Sequence, residues 1–392
     1  MSNSEAPPRS GPKSTEGRAV GRKKSAGREW SPRFWTGMNF SAWCRLLARN
    51  RFAVGWRFWP TALAITLSSM FHSAYRRWHW IWMGRHAAKV EIRHEPLFIV
   101  GHWRSGTTLL HELLVLDQRH TSPTTYECLV PNHFLLSEDF ARRWLTFLLP
   151  AQRPMDNMAA GWDRPQEDEF ALCNLGLPSP YLRIAFPNHP PQDTEYLTLE
   201  GLPAKDLAHW KRVFLGFLRQ ITYRTPKRIV LKSPPHTCRV KTLLELFPGA
   251  RFVHIVRDPF VLFPSTMNLW KTLYERHGLQ RPTCEGLEEH VFETFERMYQ
   301  RFETDRGLIA SDRLCEVRYE DLVRDPIGNL RAIYEKLALE GFDEVLPALE
   351  KYVAATEGYK TNRYELTSQQ RDEIARRWGG YMRRYGYAND ER

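Results

Sequence analysis

The stretch GHWRSGTTLL, residues 101–110, follows an apolar run and carries glycines at 101 and 106. That spacing belongs to the phosphate-binding pattern G-x-x-x-x-G-K-[ST], whose glycines allow a tight turn and whose backbone N–H groups cradle a phosphate. Thr107 stands where the pattern has its lysine. A nucleoside triphosphate needs that lysine on its β and γ groups, together with a carboxylate-held Mg²⁺. A ligand placing one phosphate in the loop needs neither. Arg104 supplies a bidentate charge, and Ser105, Gly106, Thr107 and Thr108 supply hydroxyl and backbone donors.

A second anion site is written in FVHIVRDPFVLFPST, residues 252–266. Arg257 falls just past an apolar run and Ser265 eight positions later. An arginine with a nearby hydroxyl suits a phosphate dianion. Asp258 precedes Pro259 and reads as a helix start, not as a Mg²⁺-holding carboxylate. Lys232, at the end of RIVLK, stands where a strand would finish, the edge at which open α/β sheets bind ligands.

These residues need a frame. LFIVG (97–101), RIVLK (228–232), RFVHIV (251–256) and LCEVRY (314–319) read as strands. SGTTLLHELLVL, CRVKTLLELF (238–247) and the segment after Pro259 read as helices. The alternation predicts an α/β domain over 91–388, three layers (α/β/α) around a central parallel sheet. Residues 121–205 are proline-rich and read as an insertion carrying the acceptor site. WGGYMRRYGY (378–387) reads as a packing helix and tail.

Ahead of this domain, residues 1–30 form a basic tail with almost no large apolar side chains, too polar to order itself and lacking a secretory h-region. Residues 31–90 are Trp-rich and helical in character. Their longest run without a charged residue or histidine, Phe58–Phe71, is 14 residues with Pro60 inside it, short of the roughly 20 a bilayer span needs. Packing on the main domain is the first expectation; an interfacial helix giving peripheral membrane contact through 35–86 is the alternative.

The totals agree. An apolar content of 42% over 392 residues excludes a disordered chain, and the net charge of +11 suits small anions, membranes or nucleic acid alike. No nucleic-acid partner is expected, because only the short tail concentrates positive charge. The six cysteines are scattered without C-x-x-C, which predicts neither zinc nor disulfides and favours a reducing, cytoplasmic setting.

Three ordered motifs across 97–326 resemble the sulfotransferase family that uses 3′-phosphoadenosine 5′-phosphosulfate (PAPS). They are RSGTT (104–108), the R-x₇-S of Arg257 and Ser265, and VRYEDLVRDP (317–326). The resemblance implies a P-loop NTPase-like sulfotransferase fold, with PAPS as co-substrate and no metal. It implies transfer of a sulfuryl group to a hydroxyl on a small molecule, glycan or lipid. Arg104, Ser105, Gly106, Thr107 and Thr108 would hold the 5′-phosphosulfate, Arg257 and Ser265 the 3′-phosphate, and Tyr319 would lie against the adenine. Lys232 would stabilise the leaving bridge oxygen. Lys360 and Arg363 fall where the family closes a loop over the nucleotide.

The base is left open among three places. Cytosolic members have a histidine two residues after the lysine; here that position is Pro234, and His236 lies two further on. Tyrosylprotein-type members have a glutamate well after the loop arginine; Glu127 occupies a comparable place, and burial would raise its pKa. Glu167, Asp168 and Glu169, after Pro165, either complement a helix N-terminus or orient acceptor hydroxyls. A P-loop kinase or nucleotide hydrolase is the alternative reading of the whole, and the missing lysine and the R-x₇-S spacing weigh against it.

Overall fold

The structure is a computed structural model describing residues 33–144, 161–356 and 364–388. The basic tail 1–30 and the segment holding Lys360 and Arg363 lie outside the described residues. Five parallel strands form the centre: β1 (Leu97–Val100), β2 (His120–Thr121), β3 (Arg228–Lys232), β4 (Arg251–Val256) and β5 (Leu314–Arg318), in the order β2-β3-β1-β4-β5. The helices that matter below are α1 (Phe40–Arg49), α2 (Trp59–His79), α3 (Thr107–Leu114), α4 (Thr125–Leu129), α5 (Asp168–Leu175), α6 (Ala204–Arg224), α7 (Pro259–His277), α8 (Leu287–Asp305) and α9 (Ser368–Tyr385).

Strand periodicity explains why both sheet faces are covered. Leu97, Ile99, Val230, Val253 and Ile255 enter one hydrophobic cluster, together with Leu110 and Leu114 of α3. Their neighbours Phe98, Val100, Leu231 and Phe252 enter the other cluster. The result is the three-layer arrangement expected from sequence. Ile99 is in register with Lys232 and Val100 with His254, so the ends of β1, β3 and β4 meet at one edge of the sheet.

Some local expectations shift. The fourth expected strand ends at Arg318 because Tyr319 already starts a helix. The two-residue β2 is too short to carry a periodic signal. The described residues of the 121–205 segment fold into α4, α5 and 3₁₀ turns at Pro180–Ala185 and Thr194–Leu197, among other pieces, and α6 begins at its end.

The Trp-rich residues are built into the principal core. Trp35, Met38, Trp43, Leu46, Ala62 and Ile65 belong to the same cluster as Phe98 and Val100. Trp35 Nε1 donates to the carbonyl of His277 at 3.1 Å. Phe34 stacks on Phe170 of α5 and on His277, with centroids 4.0 and 3.8 Å apart. The Asn39 side chain caps α1 and also donates to the carbonyl of Leu175 at 3.2 Å. No helix among the described residues is long and apolar enough to cross a membrane.

If one core holds both regions, Trp35→Ala will destabilise the whole chain by about 3–5 kcal/mol. Urea unfolding followed by fluorescence should remain a single transition at a lower midpoint. Two separated transitions would mean that the N-terminal helices unfold on their own.

Candidate active site

β1 delivers the chain to the phosphate-type loop. Gly101 and Gly106 take φ of +152° and +103°, and Arg104 also sits in the left-handed region at +69°. Ser105 closes the turn by donating its N–H and its hydroxyl to the carbonyl of His102, at 3.2 and 2.8 Å. Gly101 N–H donates to Thr237 Oγ1 at 2.8 Å. α3 then starts at Thr107, leaving its first-turn amides at the C-terminal edge of the sheet, where they favour an anion. A Cβ on Gly106 would lie 2.2 Å from Cδ2 of Tyr319, so only glycine allows that ring to close on the loop.

The second motif folds against the first. Arg104 Nε donates to Ser265 Oγ at 3.0 Å, and Arg257 Nη1 donates to the carbonyl of Arg104 at 2.8 Å. The Arg257 guanidinium lies 4.1 Å from the centre of the Tyr319 ring. Burial pushes the Arg257 pKa down; Tyr319 opposes this and nearby Arg104 adds to it. Two guanidinium groups drawn together beside a serine hydroxyl and a helix N-terminus fit a dianionic phosphate. Asp258 caps α7, accepting from Phe260 N–H at 2.8 Å, with Pro259 in the first turn.

Lys232 is 2% exposed at the end of β3. Its Nζ donates to Glu167 Oε1 at 2.8 Å and approaches Thr108 Oγ1 at 3.4 Å. The other Glu167 oxygen accepts from Tyr181 OH at 2.5 Å, and that hydroxyl accepts from Trp103 Nε1 at 2.9 Å. Burial, and then the Glu167 charge, push the Tyr181 pKa well up, so the phenol stays a donor. Loop, lysine and carboxylate thus form one bonded chain.

The acidic tripeptide divides its labour. Glu167 faces Lys232. Asp168 accepts from Ser233 Oγ at 2.8 Å and pairs with His236 Nε2 at 2.8 Å, both fully buried. Burial would raise the Asp168 pKa, but His236, Ser233 and Arg239 together hold it below the ordinary carboxylate range. Glu169 is paired with Arg239 at 2.6 Å and accepts from Ser179 Oγ at 2.6 Å. His236 therefore sits under the site, its ring edge-on to Phe98 and Phe214.

Glu127 is engaged elsewhere. It closes a capping box on α4, accepting from Thr124 N–H at 2.7 Å, and lies 3.8 Å from Arg224. Burial does push its pKa up, against the Thr124 bonds and Arg224. Its bonds are those of a helix cap, and the carboxylate bonded to Lys232 is Glu167. Tyr181 and Arg239 lie in no motif, and Trp103 occupies an unspecified position of the 101–106 loop; only the fold brings the three to the tripeptide.

Breaking the Glu169–Arg239 pair tests its structural role. Arg239→Met should cost about 3–5 kcal/mol by stranding a buried carboxylate. The double variant R239M/E169L should regain much of that loss in chemical denaturation. Equal losses in the single and double variants would count against the pairing.

The comparisons with known proteins accord with this geometry. The family model described as "Sulfotransferase family" matches residues 96–344. An omega-hydroxy-beta-dihydromenaquinone-9 sulfotransferase, Stf3 of Mycobacterium bovis, is 51% identical over 360 residues, covering 92% of each chain. Stf3 of Mycobacterium tuberculosis matches to the same extent. The fold is similar to crystal structures of sulfotransferase STF9 from Mycobacterium avium and STF1 from M. tuberculosis. The STF9 likeness has a TM-score of 0.63 at 19% identity and covers 89% of this chain and 96% of that one. For STF1 the TM-score is 0.58 at 20% identity, with 87% and 91% covered. The kinase alternative falls away, and the chain belongs to the sulfotransferase family, enzymes that move a sulfuryl group from PAPS to a hydroxyl.

Proposed function

We propose that Glu167 is the general base, Lys232 the group that stabilises the leaving oxygen, and a hydroxyl on a lipid-like chain the acceptor. The carrying observation is the Glu167 carboxylate held between Lys232 and Tyr181, with Lys232 in turn reaching Thr108 of the loop. In this reading RSGTT binds the 5′-phosphosulfate, and Arg257 with Ser265 the 3′-phosphate. Tyr319 supports the Arg257 guanidinium and the loop.

The acceptor oxygen attacks sulfur as the bond from sulfur to the bridging oxygen breaks. The acceptor proton passes to Glu167, and the negative charge developing on the bridging oxygen is met by the Lys232 ammonium. Tyr181, fixed by Trp103, holds the carboxylate in place. Adenosine 3′,5′-bisphosphate and a sulfate ester result.

A lipid-like acceptor is supported by the 51% identity to an enzyme named for an omega-hydroxy menaquinone. The aromatic surroundings of the proposed base support it as well: Trp103, Tyr181 and Trp270 pack with centroids 5.7 to 6.5 Å apart. Aromatic faces favour an apolar chain over a glycan rich in hydroxyls. Sulfation of a detergent-dispersed ω-hydroxylated prenyl quinone should therefore exceed that of a soluble phenol or sugar. Faster turnover of the phenol or the sugar would overturn this acceptor class.

Two variants separate the assigned roles. Glu167→Gln should lower kcat about 10²–10⁴-fold with donor binding retained, whereas Glu127→Gln should lower thermal stability and keep turnover. The reverse pattern would return the base to Glu127. Saturating adenosine 3′,5′-bisphosphate, at about 100 times its Kd, should stabilise the enzyme by about 2.7 kcal/mol. Arg257→Ala should abolish that thermal shift; a shift that survives would place the 3′-phosphate elsewhere.

A further inference from the structure

α2 is amphipathic with the wrong side outward. Its protein-facing residues include Thr66, Ser69 and His72, and His72 Nδ1 bonds to His133 Nε2 at 2.7 Å. Its outward stripe, at helical spacing, is Trp59, Leu63, Leu67, Met70, Phe71 and Trp78, each between 53% and 66% exposed. The stripe continues past both helix ends, to Trp56 at 79% exposed and Trp82 at 67%. A helix facing water turns its apolar stripe to the core. An exposed apolar surface this continuous marks a face that something else covers.

Charge identifies the cover. Residues 33–90 contain nine Lys and Arg and no Asp or Glu. Arg57, Arg76, Arg77, Arg85 and Lys89 are exposed in the same segment. Tryptophans at both ends with arginines beside them suit the headgroup layer of a bilayer. A second copy meeting this face would bring like charges together, whereas an anionic lipid surface neutralises them. α2 is not long and apolar enough to cross a membrane.

We propose that the α2 face is a membrane-docking surface that lies in the interface of a bilayer containing anionic lipid. The face is rigidly joined to the proposed catalytic carboxylate. The 3₁₀ turn Phe34–Gly37 packs on α2 and on α5, and Glu167 is the residue immediately before α5. Docking therefore orients the active site relative to the surface instead of merely tethering the chain.

The test uses full-length protein and sedimentation with phosphatidylcholine vesicles, with and without phosphatidylglycerol. No acceptor is present, so the result is independent of the acceptor class proposed above. The protein should pellet with the phosphatidylglycerol vesicles. Release should follow as NaCl rises from about 0.1 to about 1 M, where the screening length falls from about 10 to about 3 Å. Leu67→Glu combined with Phe71→Glu should weaken partitioning by roughly tenfold or more while leaving the thermal shift with adenosine 3′,5′-bisphosphate unchanged.

Wild-type protein that stays in the supernatant would overturn the proposal. A double variant that pellets as well as wild type would also overturn it, assigning the binding to the basic tail. A doubled mass of the wild type in light scattering, lost in the variant, would make the face a self-interface instead.

Discussion

The hydrogen bond from Lys232 to Glu167 is the constraint around which the site is organised. A lysine at the end of a buried strand needs a compensating partner, because an unpaired ammonium in that position is costly. Glu167 supplies it at 2.8 Å, and Thr108 adds a second contact at 3.4 Å. The same partner is fixed from its other oxygen by Tyr181. Strand β3, the phosphate-type loop and the segment before α5 are held in mutual position by these few atoms. Sulfuryl transfer asks for donor, leaving-oxygen stabiliser and proton acceptor in one line of contact, and the roles proposed for the loop, Lys232 and Glu167 would bring the three together here.

Around that contact the fold invests in buried charge. Asp168, paired with His236, and Glu169, paired with Arg239, directly follow Glu167 in the chain, and both pairs are buried. Such pairs add little net stability compared with apolar packing, but they are strongly destabilising when half removed. Their physical role is to fix the start of α5 to β3 and to the turn at Ser233, so that Glu167 cannot swing away from Lys232. Three consecutive acids thus do one exposed-facing task and two scaffolding tasks, and their identical chemistry hides this division.

The parts legible in sequence were those set by local backbone rules. The loop 101–106 follows a strand and opens a helix, and its two glycines are readable because positive φ demands them, with close ring approach as a second reason at Gly106. Arg257 and Ser265 are readable because one strand end and one helix hold both. The parallel sheet followed from alternating strand and helix patterns. The choice of Glu167 over Glu127 as the proposed base was not legible, because both are acids near helix starts in a proline-rich stretch. What separates them is a bond to a lysine 65 residues away from Glu167, against a capping box within α4. Tyr181, Trp103 and Arg239 are of the same kind, defined only by long-range packing.

Residues 33–90 show a different limit. Their Trp- and Arg-rich composition was visible, but composition does not say which side of a helix faces the core. The structure supplies the direction: the small and polar side of α2 packs inward, and Trp35 and Trp43 anchor the region in the main hydrophobic cluster. Two properties then coexist in one segment, a buried anchor continuous with the catalytic domain and an outward apolar face in a stretch whose charged residues are all cations. A loosely tethered helix would leave the enzyme free to tumble at a surface. A face fused to the core fixes the angle between that surface and the sheet edge that carries Lys232. For an acceptor whose reacting hydroxyl ends a long apolar chain, such an angle would shorten the search from a volume to a plane. That gain would reach catalysis through encounter, without altering any group that touches sulfur.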